Sequence, residues 1–298
     1  MSLYQSEGWR LAYHRIMASA LRSVGPLRVG TARRYLMCPP RYFTVSYRIN
    51  PWMDPTQPTD TARAMAQWTA LVSTYRALGH AVEVIDPEPG LPDMVFAANA
   101  GTVIDGVVLG ARFRNGERAE EAAHYQRWFL AHSAPGMVMP SAVNEGAGDL
   151  IWTGQLLLAG TGFRTEPAAH SEAQEVLEVP VVSLRLVDPY YYHLDTCLMV
   201  LDDSPHAPLL AYYPAAFSPS SRRVLARLFP DAVIAGPADA ACLGLNGVSD
   251  GRFVVLPREA VDLGRALAAC GFEPVFVDVS ELRRAGGGPK CCTLELRA

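Results

Sequence analysis

The stretch Gly286-Gly287-Gly288-Pro289-Lys290-Cys291-Cys292-Thr293-Leu294-Glu295-Leu296, close to the chain's end, governs how the rest is read. A flexible glycine turn delivers Cys291 to the first residue of a short apolar strand. Glycine lets backbone come close to a ligand, and a thiolate beside a cation is a strong nucleophile at neutral pH. Taken alone, a buried structural cysteine is the commoner outcome, since free cysteine is among the most buried residue types. A second stretch, Tyr192-His193-Leu194-Asp195-Thr196, adds a base and a carboxylate able to orient it. Together the two stretches read as a Cys/His hydrolase.

Working back towards the N-terminus, short apolar strands alternate with amphipathic helices from about residue 33 onward. Asp60 or Thr61 opens a helix with the stripe Met65, Trp68, Leu71, Val72, Tyr75 and Leu78, and Gly79 closes it. The strand Ala81-Val82-Glu83-Val84-Ile85 follows. Helical patterns recur near 117–130, 168–177, 217–229 and 258–270. Strands are expected near 104–109, 155–160, 181–187, 197–202, 208–213, 232–236, 253–257 and 273–279. Several strands therefore occur per helix, unlike the one-to-one alternation of a doubly wound sheet or an eightfold barrel. A repeated strand-strand-helix-strand unit of roughly 40 to 50 residues explains this rhythm. Residues 6–24 read as a separate helix, with Ser6 as cap, the stripe Trp9, Tyr13, Ile16, Ala20 and Leu21, and Gly25-Pro26 as its stop.

The bulk numbers exclude several classes. With 298 residues, half of them hydrophobic, the chain can bury a substantial core. The 26 basic and 30 acidic residues leave a net charge of −4 with no basic stripe, which argues against a nucleic-acid partner. No apolar run approaches the roughly 18 to 20 residues of a membrane span, and residues 1–24 do not read as a signal peptide. The six cysteines include no Cys-x-x-Cys pair, so neither a disulfide framework nor a zinc site is expected, and a reducing cytoplasm fits best.

Five polar segments each interrupt or end an apolar strand: Ile49-Asn50-Pro51-Trp52-Met53, Pro92 to Gly101, Asn144-Glu145-Gly146-Ala147-Gly148-Asp149, Gly162-Phe163-Arg164-Thr165, and the His193 segment. Singly, each has an ordinary explanation as a turn, a glycine-rich loop or a satisfied core histidine. Their joint order, ending in Gly287-Gly288-x-x-Cys291, is far more specific.

In that order the chain resembles the guanidino-group-modifying enzymes: arginine deiminases, dimethylargininases, amidinotransferases and arginine dihydrolases. The resemblance runs from about Met37 to the C-terminus. It implies an α/β fold of pentein type, a pseudo-fivefold propeller of ββαβ units around a central site. The implied layout is an N-terminal helical extension (1–30) ahead of a single catalytic domain (31–298). Met37-Cys38-Pro39-Pro40, Ile49 to Met53, Phe96-x-Ala98-Asn99-Ala100-Gly101, Asn144 to Asp149 and Lys290-Cys291-x-Thr293-Leu294 are similar to the arginine dihydrolase signature. Dimethylargininases and deiminases place an acidic residue where Asn99 stands.

The resemblance implies roles that suit the chemistry. Cys291 attacks the guanidinium carbon, and the substrate's positive charge helps hold the thiolate. His193 protonates the departing amine and then activates water. Asp195, expected two residues along the same strand, orients His193 or holds a guanidinium N–H, and Glu145 hydrogen-bonds the guanidinium. Asp93 is expected at the substrate, with Arg164 and Arg112 as clamps for the α-carboxylate. Asn50 and Asn99 decide the outcome. An amide accepts from a guanidinium and, turned over, donates to a ureido oxygen, so citrulline could be held for a second round. The remaining cysteines, Cys292 among them, read as core.

The expected partner is therefore a small molecule, L-arginine or a methylated arginine, with no cofactor, metal, nucleic acid or membrane; a homo-oligomer stays open. Arginine dihydrolase leads, with release of citrulline by a dimethylargininase or deiminase as the alternative. Amidino transfer and a non-catalytic pentein binding module rank lower, since a binder has no use for Cys291, His193 and Glu145 together. A metal site at Cys291 and Cys292 is disfavoured because adjacent cysteines on a strand face opposite ways.

Overall fold

The computed structural model describes residues 28–132, 136–205 and 207–297; the helix expected at 6–24 lies outside them. Strand β1 (Arg34–Met37) runs parallel to β2 (Ala81–Val84) across helix α1 (Thr61–Ala77). The α1 sequence carries its own boundaries. The Asp60 carboxylate accepts from Arg63 N at 2.9 Å, capping free N–H groups of the first turn, and the chain turns at Gly79 with φ +91°. Trp68, Leu71, Val72 and Tyr75 are buried as the stripe requires.

The next four sheets repeat one order. Strands β3 (Gly101–Ile104) and β4 (Val107–Gly110) form an antiparallel hairpin, helix α2 (Glu121–Ala131) follows, and Val138 then bridges Leu109 in parallel. Strands β5 (Leu150–Trp152) and β6 (Leu157–Thr161) pair antiparallel, and helix α3 (Pro167–Leu177) returns the chain to β7 (Val181–Arg185), parallel to β6. Strands β8 (Leu198–Asp202) and β9 (Leu209–Tyr212), helix α4 (Pro219–Leu228) and β10 (Val233–Ile234) repeat this, with the short helix α5 (Pro237–Ala241) after them. Strands β11 (Val248–Ser249) and β12 (Phe253–Pro257), helix α6 (Val261–Ala269) and β13 (Glu273–Val277) complete the series. Lead strands begin at residues 101, 150, 198 and 248, close to the expected repeat. The first sheet takes its lead strand from the far end of the chain, where β14 (Leu294–Glu295) pairs antiparallel with β1. Among the described residues the result is five small sheets in a mixed α/β fold.

Three expectations need correction. The single strand expected at 104–109 is the turn of the β3–β4 hairpin: Asp105 and Gly106 both have positive φ, +48° and +76°, the geometry that an Asp-Gly turn supplies. Cys291 and Cys292 lie in a turn, and the strand starts only at Leu294. Asp195 lies in a single 3-10 turn, Leu194–Thr196, rather than along a strand with His193. Among the described residues, no helix is long and apolar enough to cross a membrane.

Candidate active site

The segment just ahead of each lead strand carries a buried polar side chain or the cysteine. Asn99 precedes β3, Glu145 precedes β5, His193 precedes β8, Asn246 precedes β11 and Cys291 precedes β14. Short 3-10 turns at Ala97–Ala100, Gly146–Gly148 and Leu194–Thr196 shape three of them. Hydrogen bonds join these segments in a closed series. Ala98 N donates to Cys291 O at 3.0 Å, and Asn99 Nδ2 donates to Glu145 O at 3.0 Å. Leu194 N donates to Asp149 Oδ1, Asn246 Nδ2 to Asp195 O and Lys290 N to Asn246 O, each at 3.0 Å. Sequence-distant residues thus meet because the repeat brings equivalent strand entries together.

At the centre, His193 Nε2 donates to Glu145 Oε2 at 2.7 Å. The carboxylate on the histidine is therefore Glu145, while Asp195 Oδ2 accepts from the Cys291 thiol at 3.4 Å. Glu145 Oε2 also receives Arg164 Nη1 at 2.9 Å, and Oε1 receives the backbone N–H of Arg114 at 3.2 Å. Both oxygens are occupied, so Glu145 fixes the imidazole's orientation and its tautomer. Arg164 spends its second arm on Ile49 O at 2.9 Å, and its guanidinium lies 4.8 Å from the Tyr192 ring centroid. Arg112 differs: its backbone bridges Asn144, while its exposed side chain turns to the Ser141 carbonyl, away from this cluster.

The two asparagines are pinned. Asn99 Oδ1 accepts from Arg118 Nη1 at 2.8 Å while Nδ2 donates to Glu145 O. Turning the amide over would set its NH2 against the guanidinium and its oxygen against a carbonyl, so the reversal expected from sequence is blocked. One N–H on Nδ2 and one lone pair on Oδ1 remain. Asn50 Nδ2 donates to Ala285 O at 3.0 Å and Oδ1 accepts from Trp52 N at 2.9 Å, tying the 49–53 segment to the glycine turn. Gly148 makes this packing feasible: a Cβ there would lie 2.4 Å from Asn99 Nδ2 and 3.4 Å from the His193 ring.

Of the nine buried side-chain polar atoms without a hydrogen-bond partner among the described residues, three belong to candidate site residues: His193 Nδ1, Asp195 Oδ1 and Asp93 Oδ1. Asp93 Oδ2 is held by the Tyr47 hydroxyl at 2.8 Å. Buried polar atoms are normally paired, so these three are candidate points of contact for a ligand's hydrogen-bonding groups.

Electrostatics separates the acids. Burial pushes the Glu145 carboxyl up, but Arg164 and His193 outweigh it and hold the group well below the usual range. Burial raises Asp195 to about 6, against the pull of His193 and Lys290. Burial and then Asp195 push the Cys291 thiol far up, opposed by the Gly288 backbone and Asn246. The Cys291 side chain is therefore held as a thiol in the free site.

Two site residues were missed from sequence. Arg118 is buried, donates from Nε and Nη2 to Glu121 at 2.9 and 2.8 Å, and anchors Asn99. Asn246 is buried against Cys291. An Arg and a Glu three residues apart read as a surface pair, and Gly244-Leu245-Asn246-Gly247 as an ordinary turn. Only the recurrence of a polar residue ahead of each lead strand could have flagged Asn246. Among the described residues, no group of three or more His, Cys, Asp or Glu could hold a metal ion.

No protein-family model matches the chain. A dimethylarginine dimethylaminohydrolase of Mycobacterium tuberculosis is 52% identical over 269 residues, 90% of this chain and 87% of that protein. The bifunctional arginine dihydrolase/ornithine cyclodeaminase AgrE of Nostoc sp. is 37% identical over 270 residues, 88% of this chain but only 38% of that enzyme. The crystal structure of the N-terminal domain of ArgZ, a cyanobacterial arginine dihydrolase, in a cysteine-to-serine variant bound to substrate, matches with a TM-score of 0.84. It is 35% identical and covers 89% of this chain and 98% of that domain. A dimethylarginine dimethylaminohydrolase adduct, 18% identical with a TM-score of 0.71, shares the fold.

Fold, site and relatives define an amidine hydrolase acting on the guanidino group of arginine or a methylarginine. The chain belongs to the guanidino-group-modifying family of the pentein superfamily.

Proposed function

We propose that this chain is an arginine dihydrolase, converting L-arginine and two waters to ornithine, two ammonia and carbon dioxide. The observation that carries this reading is Asn99, an amide held beside the His193 ring with one N–H to spare. A carboxylate at that point would repel the carbonyl oxygen of citrulline; an N–H donor welcomes it.

In the first round Cys291 Sγ bonds to the guanidinium carbon as the thiol proton passes to His193 Nδ1, and His193 hands that proton to the departing ammonia, giving a thiouronium. Water, deprotonated by His193, adds to that carbon, and the C–S bond breaks to yield citrulline. In the second round the ureido carbon receives Sγ, the remaining amide nitrogen leaves as ammonia, and water releases ornithine and carbon dioxide. Asp195 Oδ1 and Asp93 Oδ1 receive guanidinium N–H groups, Arg118 and Glu145 hold the frame around Asn99 and His193, and Arg164 steadies Glu145. Asn50 joins the substrate-facing set through the 49–53 segment, and Arg112 would need to swing inward to meet an α-carboxylate.

The closed series of hydrogen bonds between strand entries supports a pseudo-fivefold propeller of ββαβ units within a single catalytic domain, 31–298. Six free cysteines suit a reducing cytoplasm. The test is a product assay on L-arginine with Cys291→Ser as control. Ornithine with two ammonia per arginine is expected; citrulline that accumulates with one ammonia overturns the second round. Similarity to the 52% identical mycobacterial dimethylarginine dimethylaminohydrolase favours one other reading, in which dimethylarginine yields citrulline and dimethylamine. The same assay with dimethylarginine decides it by comparing kcat/KM.

A further inference from the structure

Four of the five strand entries supply residues whose chemistry is accounted for: Asn99, Glu145, His193 and Cys291. The fifth supplies Asn246, fully buried, whose amide is saturated on the nucleophile's side. Its Oδ1 accepts from Gly288 N at 2.9 Å and Cys291 N at 3.0 Å. Its Nδ2 donates to Cys291 Sγ and to Asp195 O, each at 3.0 Å. Both lone pairs and both N–H bonds are used, and three of the four partners belong to Cys291 or its glycine turn.

We propose that Asn246 is the positioning residue of the nucleophile: it sets Cys291 Sγ over the substrate carbon and donates the hydrogen bond that stabilises the thiolate. This rests on Cys291 being the nucleophile. The amide's polarity decides its effect. Its carbonyl end gathers the two N–H groups that shape the turn, which leaves only the NH2 end to meet sulfur. A donor to sulfur strengthens as the thiol ionises, because hydrogen bonds to charged acceptors are stronger than those to neutral ones. Asp195 Oδ2, the other group on Sγ, works the opposite way, accepting from the thiol and repelling the thiolate. Asn246 is the side-chain donor that the structure sets against that repulsion, alongside the Gly288 backbone.

A residue that merely closed the turn would need only its oxygen. Asn246→Asp separates the two roles, since the carboxylate keeps the shape and the acceptor for Gly288 N and Cys291 N but replaces the donor to sulfur with an acceptor.

The experiment is iodoacetamide alkylation of Cys291 across pH, followed by peptide-resolved mass spectrometry, in the unaltered protein, Asn246→Asp and Asn246→Ala. Thermal melts accompany each, with kcat and KM on arginine alongside. The expected result is a rise of at least one pH unit in the alkylation midpoint of Asn246→Asp. Its kcat should fall at least tenfold while KM stays within threefold. Asn246→Ala should shift in the same direction, which keeps the test open should the acidic variant fail to fold. Unmoved midpoints in both variants overturn the proposal, whatever happens to kcat. The alkylation readout needs no substrate, so a shifted midpoint in a protein inactive on arginine upholds Asn246 and rejects the dihydrolase reading instead.

Discussion

Replacing Asn99 by aspartate should stop the reaction at citrulline. The amide bridges Arg118, which donates to its oxygen at 2.8 Å, and Glu145 O, which accepts from its nitrogen at 3.0 Å. Asn99→Asp keeps the first bond and strengthens it by charge, so the side chain stays where it is. The second bond becomes an oxygen facing an oxygen, and leaving that buried carbonyl unpaired costs about 1–3 kcal/mol of stability, which the stronger ion pair with Arg118 partly offsets. The spare N–H is lost as well. A hydrogen bond to an oxygen that gains charge during attack contributes about 1.5–3 kcal/mol, which corresponds to roughly 10- to 100-fold in the rate of citrulline hydrolysis. The first hydrolysis should suffer much less, because a carboxylate still suits a cationic guanidinium. The assay follows arginine, citrulline and ornithine over time, and separately starts from citrulline. Citrulline should accumulate, with its own hydrolysis down at least tenfold relative to the arginine step. Ornithine formed at an unchanged ratio to citrulline, or both steps slowed in parallel, refutes the claim that this amide selects the second round.

Two further substitutions test the frame around that amide. Arg118→Met leaves the buried Glu121 carboxylate without its partner and should destabilise the protein by about 3–5 kcal/mol in urea unfolding. Adding Glu121→Leu should restore most of that stability but not the activity, because Asn99 stays unanchored. Gly148→Ala would place a methyl 2.4 Å from Asn99 Nδ2. Overpacking of this kind should lower stability by about 1–3 kcal/mol, with a disproportionate drop in kcat, checked by thermal melts against steady-state rates.

What could be read from sequence followed from how local each cause is. Helix α1 was legible because its cap at Asp60, its apolar stripe and its stop at Gly79 lie within twenty residues of one another. The β3–β4 hairpin was misread although Asp105-Gly106 marks it, because apolar residues on both sides run together into one apparent strand. Strands β5 and β11 escaped notice because three and two residues are too few to show alternation. The bracketing of Cys291 as a strand residue failed because Gly288 to Thr293 is held by Asn246 and Lys290 in a turn before pairing with β1 begins. At the site, Cys291, His193, Glu145, Asp195 and Asn99 could be named because they sit in distinctive short motifs. Which carboxylate serves the histidine could not. Asp195 is two residues away in sequence and Glu145 is 48, yet the fold chooses Glu145. Arg118 and Asn246 act through bonds spanning 19 and 45 residues, and their neighbours in sequence resemble any helix entry or turn.

The charge balance of the site bears on how the two proposed rounds differ. Among the groups that face the substrate, burial raises Asp93, Asp195 and the Cys291 thiol, and only Glu145 is pulled down by its cation and histidine. In the free site His193 and Lys290 leave the Asp195 carboxyl raised and the Cys291 thiol stays far up, so a further positive charge would favour ionising both. Arginine brings that charge with it. In the proposed binding mode its guanidinium would lie against Asp195 Oδ1 and Sγ and would lower the cost of both ionisations. The kcat/KM for arginine should accordingly fall as pH drops through about 6, where the Asp195 carboxyl takes up its proton and the cation loses its partner. Citrulline is neutral and carries no such charge, so the thiolate it needs must form against burial and Asp195 with only Asn246 and the Gly288 backbone to help. Its pH profile should lie to the alkaline side of arginine's, by one pH unit or more, and Asp195→Asn should bring the two profiles together. Paired kcat/KM profiles for the two substrates measure this directly. Superimposable profiles in the unaltered protein would mean that the nucleophile is already ionised before substrate arrives, and the account of substrate-assisted ionisation would fall.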